Sequence, residues 1–230
     1  MPYGTWIICE IESPKGYVLS EEEIAVTIGK VDEVVEIELV NYFIKGNIAL
    51  TKVDEDYPDN KLSGAVFEVY SDTNGDGKLD KDDTLLGEMK ELDGGVYQMS
   101  ELRYGKYLVK ESKAPTGFVL DEDVYAVSIE ENGKTYTVEN KAGVGFINAA
   151  QKGSLKIVKT SSDGKVEDFS FRVTGVDYDK TFKTDKNGEI VIEGLRIGDY
   201  TVSEVSDKAS AGYILPADKQ VTVKVNATAI

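Results

Sequence analysis

The stretch Tyr107-Leu-Val-Lys-Glu111-Ser-Lys-Ala-Pro115-Thr-Gly117-Phe118 decides how this chain reads, because its pattern occurs three times. The second copy is Trp6-Ile-Ile-Cys-Glu10-Ile-Glu-Ser-Pro14-Lys-Gly16-Tyr17, and the third is Tyr200-Thr-Val-Ser-Glu204 followed by Gly212-Tyr213. Side chains alternate across a strand, so Tyr107, Val109 and Glu111 share one face. Trp6, Ile8 and Glu10 do the same, as do Tyr200, Val202 and Glu204. In each copy a carboxylate stands where an apolar face should continue. A buried, unpaired charge is expensive, so these glutamates require partners.

The partners recur as well. Gly46-Asn-Ile-Ala-Leu-Thr-Lys52 matches Gly153-Ser-Leu-Lys-Ile-Val-Lys159, which puts Lys52 and Lys159 on the apolar faces of their strands. Asparagines close the preceding segments, Asn41 at the end of Ile37-Glu-Leu39-Val-Asn41 and Asn148 at the end of Val144-Gly-Phe146-Ile-Asn148. Each stands five residues before the glycine that opens the next repeat. A full repeat therefore reads lysine early, glutamate later and asparagine last. Its length of roughly 100 residues suits a small β-sandwich.

Composition agrees. The 230 residues suffice for about two small domains. Twenty-six Lys and Arg face 42 Asp and Glu, a net charge of −16, which argues against nucleic acid or an anionic membrane as partner. Histidine is absent, which removes the commonest general base and metal ligand. The single cysteine, Cys9, excludes an internal disulfide framework and faces away from Glu10. No apolar run approaches the ~20 residues of a membrane-spanning helix, so membrane insertion is not expected. Alternating segments broken by Gly and by Asn-Gly turns, as in Thr184-Asp-Lys-Asn187-Gly188, predict an all-β chain. The repeats divide it into residues 1–45, the rear part of a preceding repeat; residues 46–151, a complete domain; and residues 152–230, a domain short of its final strand. Asn226 precedes where that strand should run and is given no role. Linkers of a few residues, such as Ala149-Ala-Gln-Lys152, favour a stiff tandem array in which the neighbouring repeats of the polypeptide are the first partners.

These residues resemble the collagen-adhesin B-type (CnaB) repeat, also described as the SpaA-like pilin domain with a prealbumin-like fold. The resemblance rests on Lys52-Val-Asp54, Gly64-Ala-Val-Phe67, Thr184 to Gly188, Gly198 to Glu204, Ala114 to Phe118 and Phe146-Ile-Asn148. It covers essentially the whole chain. The third repeat departs from it in lacking Ala-Pro before Gly212-Tyr213 and in lacking its terminal asparagine. The resemblance implies tandem CnaB-type sandwiches in which lysine and asparagine side chains join as an intramolecular isopeptide bond with glutamate assisting. Lys52, Glu111 and Asn148 would be that set. Lys159 with Glu204, and Glu10 with Asn41, would be partial sets.

The chemistry has a physical basis. Desolvation disfavours ammonium and carboxylate alike, and so favours a neutral, nucleophilic amine and a protonated carboxyl. The carboxyl can polarise the amide and carry the proton that turns the leaving nitrogen into ammonia. Near-attack positioning by the fold is worth ~7–11 kcal/mol for a unimolecular step. On faces alone, a Lys–Glu ion pair with asparagine filling a hydrogen bond accounts for the same residues.

A second motif lies at Asp72-Thr-Asn74-Gly-Asp76-Gly77-Lys78-Leu79-Asp80-Lys-Asp-Asp83. It follows a calcium-loop register: Asp72, Asn74, Asp76, Asp80 and Asp83 supply side-chain oxygens, Lys78 its carbonyl, and Gly77 the sharp turn. A structural Ca2+ is therefore expected, although an acidic Asx-and-glycine turn without metal fits the same residues.

Two functions compete. The first is a stalk module of a Gram-positive surface adhesin or pilin, extracellular and held to the cell wall by an anchor and signal peptide outside this stretch, with other pilin subunits as partners. The second is an adhesive module that engages host extracellular matrix protein or glycan. Catalysis on an external substrate is not expected, since no nucleophile elbow or metal-hydrolase spacing occurs.

Overall fold

The computed structural model describes residues 2–175 and 177–224. Asn226 and the sequon Asn226-Ala-Thr228 lie outside the described residues. All regular secondary structure among the described residues is β. The chain divides into two units, residues 1–116 with 120–148, and residues 117–119 with 149–230.

The first unit contains β1 (Gly4–Ile8), β2 (Ile24–Ile28), β3 (Lys45–Asp54), β4 (Val66–Ser71), β5 (Thr84–Glu88), β6 (Lys90–Glu91), β7 (Val96–Arg103), β8 (Gly105–Lys113), β9 (Val124–Ile129), β10 (Thr135–Thr137) and β11 (Phe146–Asn148). One sheet has the order β10-β3-β7-β6, with β11 also on β3. The other has the order β5-β4-β8-β9. β7 runs antiparallel to β3, whereas β10 and then β11 run parallel to it. The apolar alternation explains the layering. Ile48 and Leu50 of β3 and Tyr97 of β7 meet Phe67 and Val69 of β4 and Val109 of β8 in one buried cluster. At its centre Phe67 packs edge-on against Tyr97 (5.1 Å) and Phe146 (4.9 Å). Truncating such a ring costs about 3–5 kcal/mol.

Residues 1–45 differ from the sequence expectation. β1 pairs only with β2, and Trp6 and Ile8 are exposed. The face they share with Glu10 is therefore not a core face among the described residues, because no second sheet lies over it. Ile37 to Asn41, expected as a strand, forms none. Alternation marks which face a strand would bury, but a strand also needs a neighbour to satisfy its backbone.

The second unit contains β12 (Lys152–Val158), β13 (Ser170–Gly175), β14 (Tyr178–Lys183), β15 (Glu189–Arg196), β16 (Gly198–Val205) and β17 (Lys219–Val223). β12 pairs with β15, and a second sheet has the order β14-β13-β16-β17. Phe169, Val173, Ile190, Leu195 and Tyr200 anchor its core. Two devices repeat between the units. Tyr107 Oη donates to the Arg103 carbonyl (2.6 Å) and Tyr200 Oη to the Arg196 carbonyl (2.9 Å), each closing the hairpin four residues upstream. The opening glycines admit a close backbone approach. A Cβ on Gly46 would stand 2.8 Å from the Lys134 carbonyl oxygen, and one on Gly153 would overlap the Lys224 carbonyl oxygen.

Candidate functional site

Lys52 ends the apolar face of β3, Glu111 continues that of β8, and Asn148 closes β11. Each came from a period-two reading, and the fold brings all three together. Their relative exposures are 0%, 0% and 3%. Register explains the meeting. Phe146 lies opposite Lys52 in the parallel β3–β11 pair, which carries Asn148 past the lysine. Phe67 lies opposite Glu111 in the β4–β8 pair, so the carboxylate enters from the other sheet.

Lys52 Nζ donates to Asn148 Oδ1 and lies 3.3 Å from Glu111 Oε1. Asn148 Nδ2 donates to both carboxylate oxygens of Glu111, at 3.0 and 2.8 Å. The asparagine thus turns its nitrogen to the acid and its carbonyl to the amine. Aromatic rings close the remaining space, with the Phe146 centroid 4.5 Å and the Phe67 centroid 5.9 Å from Nζ. Burial brings the Lys52 pKa down to about 8, against the upward pull of Glu111 and of the more distant Asp121. That shift raises the neutral fraction of the amine near physiological pH far above that of an ordinary lysine, and a neutral amine is a nucleophile.

Two residues beside the triad escaped the sequence reading. The Asp121 backbone N–H donates to Glu111 Oε2 (2.9 Å), and its carboxylate accepts from Tyr125 Oη (2.9 Å) and Asn140 Nδ2 (2.6 Å). Asn140 also donates to the Ile147 carbonyl (2.9 Å) and accepts from the Ile147 N–H (2.6 Å). Burial and the Asp121 carboxylate raise the Tyr125 pKa, which keeps its hydroxyl a donor. Asn140 extends the alternation of Tyr136 and Val138, a weak signal without its partners.

The partial sets are also in contact. Asn41 Nδ2 donates to Glu10 Oε1 (2.7 Å) and the Ser20 N–H donates to Glu10 Oε2 (2.8 Å). These hydrogen bonds, that from Ser20 first, hold the Glu10 pKa below its ordinary value. Ser20 follows Glu10 by the spacing at which Asp121 follows Glu111. Among the described residues no lysine joins Glu10 and Asn41. In the second unit Lys159 Nζ donates to both oxygens of Glu204, at 2.9 and 2.8 Å. The two side chains are 12% and 1% exposed, and Nζ lies 4.6 Å from the Phe169 centroid. A groove of about 530 Å³ runs beside them, lined by Leu155, Ile157, Tyr213 and Val221 among others.

The acidic loop folds around its own backbone. Asp72 accepts the N–H groups of Gly75 (2.8 Å) and Gly77 (3.2 Å), and Asp83 accepts those of Thr73 (3.1 Å) and Asp80 (2.9 Å). Asn74 Oδ1 takes the Asp76 N–H and Asp76 takes the Lys78 N–H. The oxygen-only donor set fits a hard cation in kind. Among the described residues no three Asp or Glu side chains are grouped as a cation cage. The fit is one of chemistry and sequence register.

The family described as "SpaA: Prealbumin-like fold domain" matches residues 46–142 and 153–230. The structure of the Bacillus anthracis TIE protein is similar over 98% of this chain, with 28% identity and a TM-score of 0.75. This chain spans 40% of that structure's length. A Streptococcal ancillary pilin matches at 18% identity and a TM-score of 0.36, covering 99% of this chain and 73% of the other. The shaft pilin SpaA of Lactobacillus rhamnosus GG matches at 15% identity and a TM-score of 0.38, covering 79% and 95%. No curated protein matches. Two tandem matches over most of its length, on an all-β fold in two units, make this chain a member of the SpaA prealbumin-like fold domain family.

Proposed function

We propose that this chain is a structural stalk segment of a Gram-positive surface protein, stiffened by an isopeptide bond that Lys52 and Asn148 form without an external enzyme. The observation that carries it is a solvent-free centre where amine, acid and carboxamide are in mutual contact. Neutral Lys52 Nζ attacks Asn148 Cγ. The Nζ–Cγ bond forms and the Cγ–Nδ2 bond breaks. The proton lost by Nζ travels through Glu111, which already contacts Nδ2, and leaves with it as ammonia. The reaction runs once per domain. Closing a loop of ~100 residues is worth ~4–5 kcal/mol by the disulfide analogy.

Intact mass is the test. The wild-type chain should weigh one ammonia less than its sequence, and a peptide map should join Lys52 to Asn148. A chain at full sequence mass refutes the bond.

Family membership supports a surface location, attachment to the cell wall, and assembly with other pilin subunits. The acidic loop is the proposed Ca2+ site, with Asp72, Asn74, Asp76, Asp80 and Asp83 as side-chain ligands and Lys78 through its carbonyl. The ion would offset the carboxylate charge gathered there. Chelation should expose residues 72–83 to protease while the core stays folded, and equal cleavage with and without chelator would remove calcium from the account.

A further inference from the structure

β11 is only three residues long, yet it carries the electrophile. One of its edges lies on β3, where the Asn148 carbonyl accepts the Glu55 N–H (3.1 Å). The Ile147 N–H and carbonyl are instead taken by a side chain, the amide of Asn140. That amide does the work of a neighbouring strand, one donor and one acceptor against one residue. Its remaining N–H reaches Asp121, and the Asp121 N–H reaches Glu111. A continuous hydrogen-bonded bracket therefore runs from Glu111 through Asp121 and Asn140 to Ile147, the residue before Asn148. It fixes the acid and the electrophile relative to each other from outside the triad. The Tyr125 side chain braces it twice, through its hydroxyl on Asp121 and its ring against Phe146 at 5.1 Å.

We propose that Asn140, held by Asp121, is a positioning residue that aims Asn148 at Lys52, so that bond formation slows when the bracket is cut. This rests on the isopeptide reading above. The contact between Glu10 and Asn41 supports it by contrast. There Ser20 stands in the place of Asp121; it gives Glu10 its N–H, and its hydroxyl accepts the nearby Glu22 N–H. Counting back from Asn41 as Asn140 stands back from Asn148 reaches Glu33, which caps the N–H groups of Gly29 and Lys30. Among the described residues, no such bracket supports that contact.

The prediction is kinetic. Misplacement by about an ångström costs ~100-fold in rate, so Asn140→Ala should lose ammonia about 100-fold more slowly than wild type, followed by intact mass after cell-free synthesis. Asn140→Asp should also be slow, because it sets a carboxylate against Asp121 and against the Ile147 carbonyl. Adding Asp121→Asn to it restores a donor–acceptor pair between the two positions and should recover part of the rate. Folding is scored separately in a Lys52→Met background, where no bond can form. Asn140→Ala should leave that protein folded, with the same circular dichroism and a Tm lower by only a few degrees. A wild type light by one ammonia, with Asn140→Ala equally fast, overturns the bracket alone. Slow bonding that coincides with an unfolded Lys52→Met/Asn140→Ala protein also overturns it, in favour of a purely structural role. A wild type at full mass overturns the bond and the bracket together.

Discussion

Lys52 and Lys159 occupy the same place in the repeat, each over a phenylalanine ring and each against a glutamate, yet their surroundings part there. Lys52 is sealed by β11 and shares its hydrogen bonds between an amide and an acid. Lys159 directly follows β12, which pairs with β15 among the described strands, and its ammonium contacts both oxygens of Glu204. Among the described residues, the amine meets a carboxamide as well as a carboxylate in the first unit and a carboxylate alone in the second. The glutamate alone therefore does not define the chemistry. In the first unit it is β11 that brings the carboxamide and completes the burial of the lysine, and the proposed chemistry depends on that strand.

The sharpest way to break the comparison is Glu111→Gln. It should leave the first unit at full sequence mass and lower its stability by about 4–5 kcal/mol, the value of the lost closure, measured by denaturant unfolding. Glu204→Gln should change no mass. It removes the carboxylate from a mostly buried lysine, and an imperfectly satisfied buried group costs about 1–3 kcal/mol. A mass change in that variant, or a loss as large as in Glu111→Gln, would mean that the two sites do the same chemistry.

The third prediction concerns pH. Before bonding, folded Lys52 titrates near 8 against 10.5 for an ordinary lysine. The unfolded chain then binds more protons between those values, so stability of the unbonded domain rises with pH across that window. The penalty is fully present below about pH 8. The reactive amine follows the same curve. The rate of ammonia loss should fall about tenfold per pH unit below 8 and level off above it, because only the neutral form attacks. A pH-independent rate would remove the amine from the rate-limiting step.

Period two made the triad legible. Lys52, Glu111 and Asn148 each interrupt an apolar alternation, and an interruption in a core face is a strong signal because burying it unpaired is costly. The same logic misled at Trp6, Ile8 and Ile37, where alternation marks a face but not what covers it. Asp121 and Asn140 stayed hidden for a different reason. Asn140 acts through its amide on the Ile147 backbone, and Asp121 through its N–H on Glu111 and its carboxylate on Tyr125 and Asn140; such cross-segment bonds have no period. The acidic loop was legible as a register of oxygens, whereas its hydrogen bonding to its own N–H groups emerged only from the fold.

One consequence follows from Lys52 and Asn148 being neighbours on parallel strands. Under the proposed bond, the covalent route from Lys45 to Asn148 would be β3 as far as Lys52 and a single side-chain link. The residues between Lys52 and Asn148, the acidic loop included, would then hang from that route as a closed ring. Segments in the ring can lengthen, shorten or loosen without altering the reach of the module, and the 72–83 excursion stands where such variation changes the surface and leaves the span untouched.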